Sequence, residues 1–150
     1  MKNTTLSLIL VLFVSACSHK TGGNVNTDSV VKGTTQAEAE AQKSTEQWLT
    51  LVDAGNYAES WKTAAGVFQT AVSQDQWEHA ISAVRGPLGE LVSRKLKSAY
   101  NTKSLPGMPD GEYVVLVFDT SFANKKAAAE TITPMLAADG IWKVSGYYIK

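Results

Sequence analysis

The chain reads as an α+β domain in which three amphipathic helices come first and a four-stranded antiparallel sheet follows. Three observations predict it. Apolar residues recur at spacings of three and four between Gln36 and Val84, the period of helices with one buried face. From Val92 onward the spacing drops to two, the period of strands. Turn residues punctuate the elements at Asp53-Ala54-Gly55-Asn56, Arg85-Gly86-Pro87 and Asp139-Gly140. An antiparallel sheet with one apolar face must be covered, and three helices on one side can cover it.

The first helix is expected over Gln36 to Asp53, with Ala37, Ala41, Thr45, Trp48 and Val52 on one stripe. Glu38 and Glu40 suit its positive N-terminal end. A second stripe runs through Tyr57, Trp61, Ala64, Ala65 and Phe68, and Gly66 should loosen or end that helix. Ser73 followed by Gln76 is a capping-box signature that opens the third helix, whose apolar face is Trp77, Ala80, Ile81 and Val84 and which Arg85-Gly86-Pro87 ends.

In the first strand, Val92, Arg94, Leu96, Ser98 and Tyr100 share the inward row, and Ser93, Lys95 and Lys97 face water. A loop over Leu105 to Gly111 leads to Glu112–Phe122, where Val114, Leu116, Phe118 and Phe122 form one row and Tyr113, Val115 and Val117 the other. After the turn at Asn124-Lys125-Lys126, Ala127 to Leu136 is a weaker strand whose Pro134 makes it an edge or marks a bulge. Asp139-Gly140 signals a hairpin into Ile141–Ile149, with Trp142, Val144, Gly146 and Tyr148 on one face.

Ahead of this domain, Lys2 and the apolar run Leu6 to Val14 have the form of a signal peptide, a run too short to cross a bilayer as a helix. Val14-Ser15-Ala16-Cys17 resembles the lipobox of bacterial lipoproteins. That resemblance implies cleavage before Cys17, acylation of its thiol and amino terminus, and a permanent membrane anchor, since each buried methylene is worth about 0.8 kcal/mol. An ordinary signal peptide with a chance cysteine is the bland alternative. Ser18, in place of an aspartate, implies by the same resemblance the periplasmic face of the outer membrane if the host has two membranes. The organisation expected is a signal peptide over residues 1–16, a lipidated cysteine with a Gly/Ser/Thr/Asn-rich tether over 17–34, and one domain over 35–150. His19 belongs to the tether as a solvated residue.

Composition narrows the functional classes. With 44% hydrophobic and 19% charged residues the chain is globular. Of its 14 basic residues only Lys2 lies in the leader, so 13 remain against 14 acidic ones, a balance that gives no support for nucleic-acid binding. The single cysteine excludes an internal disulfide.

Trp48-Leu49 running to Asp53-Ala54-Gly55-Asn56-Tyr57 and Trp61, then Arg85-Gly86-Pro87-Leu88-Gly89, then Asp139 to Tyr147 together resemble a bacterial domain-of-unknown-function family, the one numbered four thousand and nineteen. The resemblance covers roughly residues 36 to 150. It implies a domain similar to the nuclear-transport-factor-two-like fold, with helices on a curved sheet in a cone-like arrangement that can enclose a pocket. That family has no assigned reaction.

If a pocket exists, aromatic residues on inward rows would line it, although at such spacing aromatics are mostly core. The candidate pocket residues are Trp61, Trp77, Arg94, Tyr100, Glu112, Phe118 and Trp142. Arg94 between Val92 and Leu96 needs an anion if buried. A cross-strand pair with Glu112 is the plain solution, an acidic ligand the sharper one, and a snorkelling arginine at the sheet rim the third.

No motif assembles a catalyst. His79 points away from Trp77 and Ile81, no spacing of Cys, His, Asp and Glu suits zinc, and Gly86-Pro87-Leu88-Gly89 lacks the lysine of a phosphate loop. No cofactor or metal is called for. Carboxylate acid/base chemistry in the pocket by Glu112 or Asp119 is the alternative to a binding role. Tyr113, Val115 and Val117 would form an exposed apolar patch if uncovered, a face for a homodimer. The expectation is a membrane-anchored lipoprotein whose domain binds an envelope protein or a small ligand.

Overall fold

Helix α1, Gln36–Asp53, opens on a capping box that sequence reading had not singled out: the Thr35 side chain accepts from the Glu38 N–H while the Glu38 carboxylate accepts from the Thr35 N–H. A computed structural model of the chain describes residues 35–150. The expected signal peptide, Cys17, the expected tether and His19 lie outside the described residues. Helices α2, Tyr57–Thr63, α3, Gly66–Ala71, and α4, Gln74–Leu88, follow. Strands β1, Leu91–Thr102, β2, Tyr113–Phe122, β3, Ala128–Leu136, and β4, Trp142–Ile149, complete an antiparallel meander in the order β1-β2-β3-β4. The fold is α+β, and among the described residues no helix is long and apolar enough to cross a membrane.

There are four described helices rather than the three expected, because the second stripe is cut at Ala64 and Ala65. Both residues are extended, and the Ala65 N–H bonds the Val144 carbonyl on the outer edge of β4 at 2.8 Å. Their small side chains, both buried, let the chain come this close to the strand. Gly66 therefore opens α3 instead of ending a longer helix. The Ser73/Gln76 capping box is present at the start of α4. That helix runs past Arg85-Gly86-Pro87 to Leu88, and Gly89, at φ 75° and ψ −164°, ends it. Ala80 and Val84, expected on its inner face, are exposed, and its buried stripe is Trp77, Ile81 and Arg85.

Two strands change face partway along. In β1 the pairing with β2 shifts between Leu91 and Ser93 and again between Leu96 and Ser98. An extra residue in one strand reverses the parity of everything beyond it. Arg94 and Leu96 stay inward, but Val92 and Tyr100 are 61% and 48% exposed, and Ala99 packs on the core in place of Tyr100. In β4 the shift falls where Thr133 gives way to Pro134, with Ser145 the extra residue. Pro134 has no N–H to give the ladder, and the Ser145 hydroxyl donates instead to the Thr133 carbonyl at 2.7 Å. So Pro134 marks a bulge in an interior strand. Beyond it Tyr147 faces inward, opposite Ile132, while Tyr148, expected inside, is 46% exposed.

The core lies between the helices and the inner sheet face. Trp77 stands edge-on to Phe68 at 5.0 Å and to Tyr147 at 6.2 Å, and Trp48 meets Trp77 at 5.9 Å. Ser60 ties the indoles together, accepting from Trp48 on its carbonyl and from Trp77 on its hydroxyl. On the outer face the row Tyr113, Val115, Val117 is not an open patch. Tyr113 is fully buried beneath the loop before it, its hydroxyl donating to the Pro109 carbonyl, and Val115, beside Tyr100 of β1, is 7% exposed. Only Val117 is half-buried.

Two glycines separate backbone demand from open space. Gly89 occupies a region of φ/ψ space that is close to glycine-only, and an added Cβ would stand 3.2 Å from the Ala123 Cβ. Gly89→Ala should therefore cost about 1–3 kcal/mol in urea unfolding. Gly66, with ordinary φ and nothing within 4 Å of an added Cβ, predicts the reverse, a gain of about 0.4–1 kcal/mol for Gly66→Ala.

Candidate functional site

The polar centre of the fold gathers one side chain from each of six elements. Asp53 is the last residue of α1, Arg85 lies in the last turn of α4, and Arg94, Thr120, Glu130 and Tyr147 come from β1, β2, β3 and β4. Arg94 donates to both oxygens of each carboxylate, at 2.7 and 3.0 Å to Asp53 and at 2.6 and 3.1 Å to Glu130. Arg85 adds bonds of 2.6 Å to Asp53 and 3.5 Å to Glu130 while its guanidinium lies 4.5 Å over the Phe122 ring. The Thr120 and Tyr147 hydroxyls complete Glu130 at 2.7 and 2.6 Å. Glu130 is fully buried, and two positive charges balance two negative ones.

Burial works against the charge of Arg94, but its hydrogen bonds to Asp53 and Glu130 outweigh that and raise its pKa above the ordinary value. The Tyr147 hydroxyl is also pushed up, first by burial and then by the Glu130 charge and hydrogen bond. Every Glu130 and Asp53 oxygen is already an acceptor for charged or hydroxyl donors. The cluster ties the ends of α1 and α4 to the sheet.

Arg94 thus has its anion, though not the one expected. Glu112 precedes β2, is exposed, and pairs with Lys103 at 3.2 Å, while the β2 residue opposite Arg94 is Thr120. Of the six members only Arg94 was a candidate from the sequence: Asp53 read as a turn residue, and Arg85, Thr120, Glu130 and Tyr147 were not singled out as site residues. Arg85 falls four residues after Ile81 on the buried stripe of α4, and Glu130 alternates with Ala128 and Ile132 on the inner row of β3, so spacing held both signals. Tyr147 was hidden by the bulge.

The other candidate residues do not converge. Trp77 and Phe118 are core, and Trp61 is half-buried with its N–H on the Val72 carbonyl. Tyr100 lies on the outer sheet face, and Asp119 is exposed there with Lys97 at 3.0 Å. His79 is exposed. Trp142 lines an open groove of about 480 Å³ between α1, the end of α2 and the start of β4, bordered also by Trp48, Leu51 and Ile141. Among the described residues no three of His, Cys, Asp and Glu stand together as metal ligands would.

Removing one member of a buried charge network leaves its partners uncompensated, so Arg94→Met should lower unfolding stability by about 3–5 kcal/mol. Tyr147 gives a pH signature. Its folded pKa is raised above the ordinary 10.0, so its contribution is complete below that value and is lost as pH rises, because the unfolded chain releases the proton first. Urea unfolding between about pH 8 and 11 should show a shallower alkaline loss in Tyr147→Phe than in the wild type.

Over residues 44–147 the chain matches the model of the family described as "Protein of unknown function (DUF4019)". No curated protein and no solved structure matches it. The matched stretch takes in the segments around Trp48, Arg85 and Asp139, the end of α1, the remaining helices and nearly all of the sheet. With more than half of its length matched, the chain belongs to the DUF4019 family.

Proposed function

We propose that the protein is a lipoprotein held to a membrane by acylated Cys17, and that its α+β domain is a binding or interaction module. The observation that carries the anchor is Val14-Ser15-Ala16-Cys17, a lipobox-like run that ends an apolar leader and contains the only cysteine of the chain. Ser18 favours the periplasmic face of the outer membrane in a host with two membranes. The layered order of helices on one face of a four-stranded meander supports a likeness to the nuclear-transport-factor-two-like cone fold. A binding role is favoured over pocket catalysis because Glu112 and Asp119 lie apart, each against a lysine, and the inner carboxylates Asp53 and Glu130 are saturated by arginine donors. Cys17→Ala should move the protein to the soluble fraction and abolish acyl labelling; a variant that stays in the membrane overturns the anchor.

A second copy of the chain is the protein partner we favour, on the outer sheet face. The exposed Tyr100 and Tyr148 stand on that face around the half-buried Val117, whose direct neighbours are Ser98 and Thr131, and a symmetric contact would cover the two tyrosines. Tyr148→Lys should then lower the mass seen in sedimentation to that of one chain. An unchanged mass in both proteins removes the dimer.

A further inference from the structure

We infer that the groove between α1, the end of α2 and the start of β4 binds a small carboxylate with an apolar body, which rests on the domain being a binding module. The groove has the size of a small-molecule site, about 480 Å³. Helix α1 presents Ser44, Gln47, Trp48 and Leu51 to it, the i, i+3, i+4, i+7 stripe of one helix face. Trp48, Leu51, Trp142 and Val144 make the apolar wall, and Ile141 stands at its lip 55% exposed.

The charged groups that line the groove are two lysines, Lys62 and Lys143, and no carboxylate lines it. Their own partners leave them available. Lys62 and Glu59 are 3.6 Å apart with both side chains more than half exposed, a pair worth almost nothing in water. Lys143 meets Asp139 at 2.6 Å, but an ammonium has three donors and Asp139 engages one of them.

A second observation is independent of charge. The indole N–H groups of Trp48, Trp61 and Trp77 each find an acceptor, on the Ser60 carbonyl, the Val72 carbonyl and the Ser60 hydroxyl. That of Trp142 has none among the described residues, although the residue is 7% exposed. Nor is its nitrogen sealed in, since the side-chain polar atom found sealed without a partner among the described residues is Thr45 Oγ1. Its nitrogen therefore keeps some exposure, on a residue that lines the groove. Positive charge and a free donor beside an aromatic wall complement a ligand that brings acceptors, negative charge and an apolar body together.

The test follows the Trp142 indole resonance in nitrogen–proton correlation spectra of the full-length Cys17→Ser protein, assigned by its loss in Trp142→Phe. Titration with 4-phenylbutyrate should shift that resonance saturably. The uncharged 4-phenylbutan-1-ol should bind at least about tenfold more weakly, and Lys62→Gln with Lys143→Gln should bring the acid down to the level of the alcohol. A stationary Trp142 resonance, shifts confined to other surfaces, or equal binding of acid and alcohol overturns the assignment. Native mass spectrometry of the purified protein keeps the two readings separable. A retained ligand with a stationary Trp142 resonance removes this groove and leaves the binding module standing.

Discussion

Two arginines and two carboxylates, shared among α1, α4, β1 and β3, tie the helical layer to the sheet. A buried charge is tolerated only when paired and hydrogen-bonded, so each member of this cluster makes the others necessary. Glu130 shows the dependence most clearly. It is sealed from water on the inner face of β3 and is acceptable there because Arg85, Arg94, Thr120 and Tyr147 all donate to it. The ends of α1 and α4 meet over the sheet at the point where Asp53 and Arg85 can join this balance.

Tyr147 links that polar centre to the aromatic core. Its ring contacts Trp48 and Trp77 while its hydroxyl serves Glu130. The interior is therefore occupied by indoles whose N–H groups are paired within it, and a groove lies at the periphery. There the interruption between α2 and α3 matters. Ala65 bonds Val144, and the Ser44 hydroxyl bonds the Trp142 carbonyl, so the start of β4's outer edge is covered by helical segments instead of being open to another strand. The same arrangement sets Lys62 and Ala64 across from Trp142 and Lys143, which makes the groove.

Much of this architecture was legible in local pattern. The period of three and four placed α1 and α4, the Ser73/Gln76 pair placed a helix start, and the alternation in β2 and the Asp139-Gly140 turn placed the meander. What failed did so at bulges. Tyr100 and Tyr148 were assigned inward by counting twos from Val92 and Trp142, and one extra residue in each strand turned them outward and brought Ala99 and Tyr147 in. The pairing of Arg94 failed for a related reason. Glu112 shares an alternation with the strand after it, but that strand begins one residue later, and a long side chain reaches across strands and up to a helix end.

The sequence by itself determined the α+β class, the order of strands and the family, because periodicity, caps and turn residues act over a few neighbouring positions. The proposed leader and its cysteine rest on adjacent residues in the same way. Only the tertiary structure decided which face each strand presents after a bulge, which acids neutralise Arg85 and Arg94, and where the groove lined by Trp142, Lys62 and Lys143 opens. Those depend on register between strands and on the approach of elements distant in sequence, and a one-residue slip is invisible locally yet inverts every side chain beyond it.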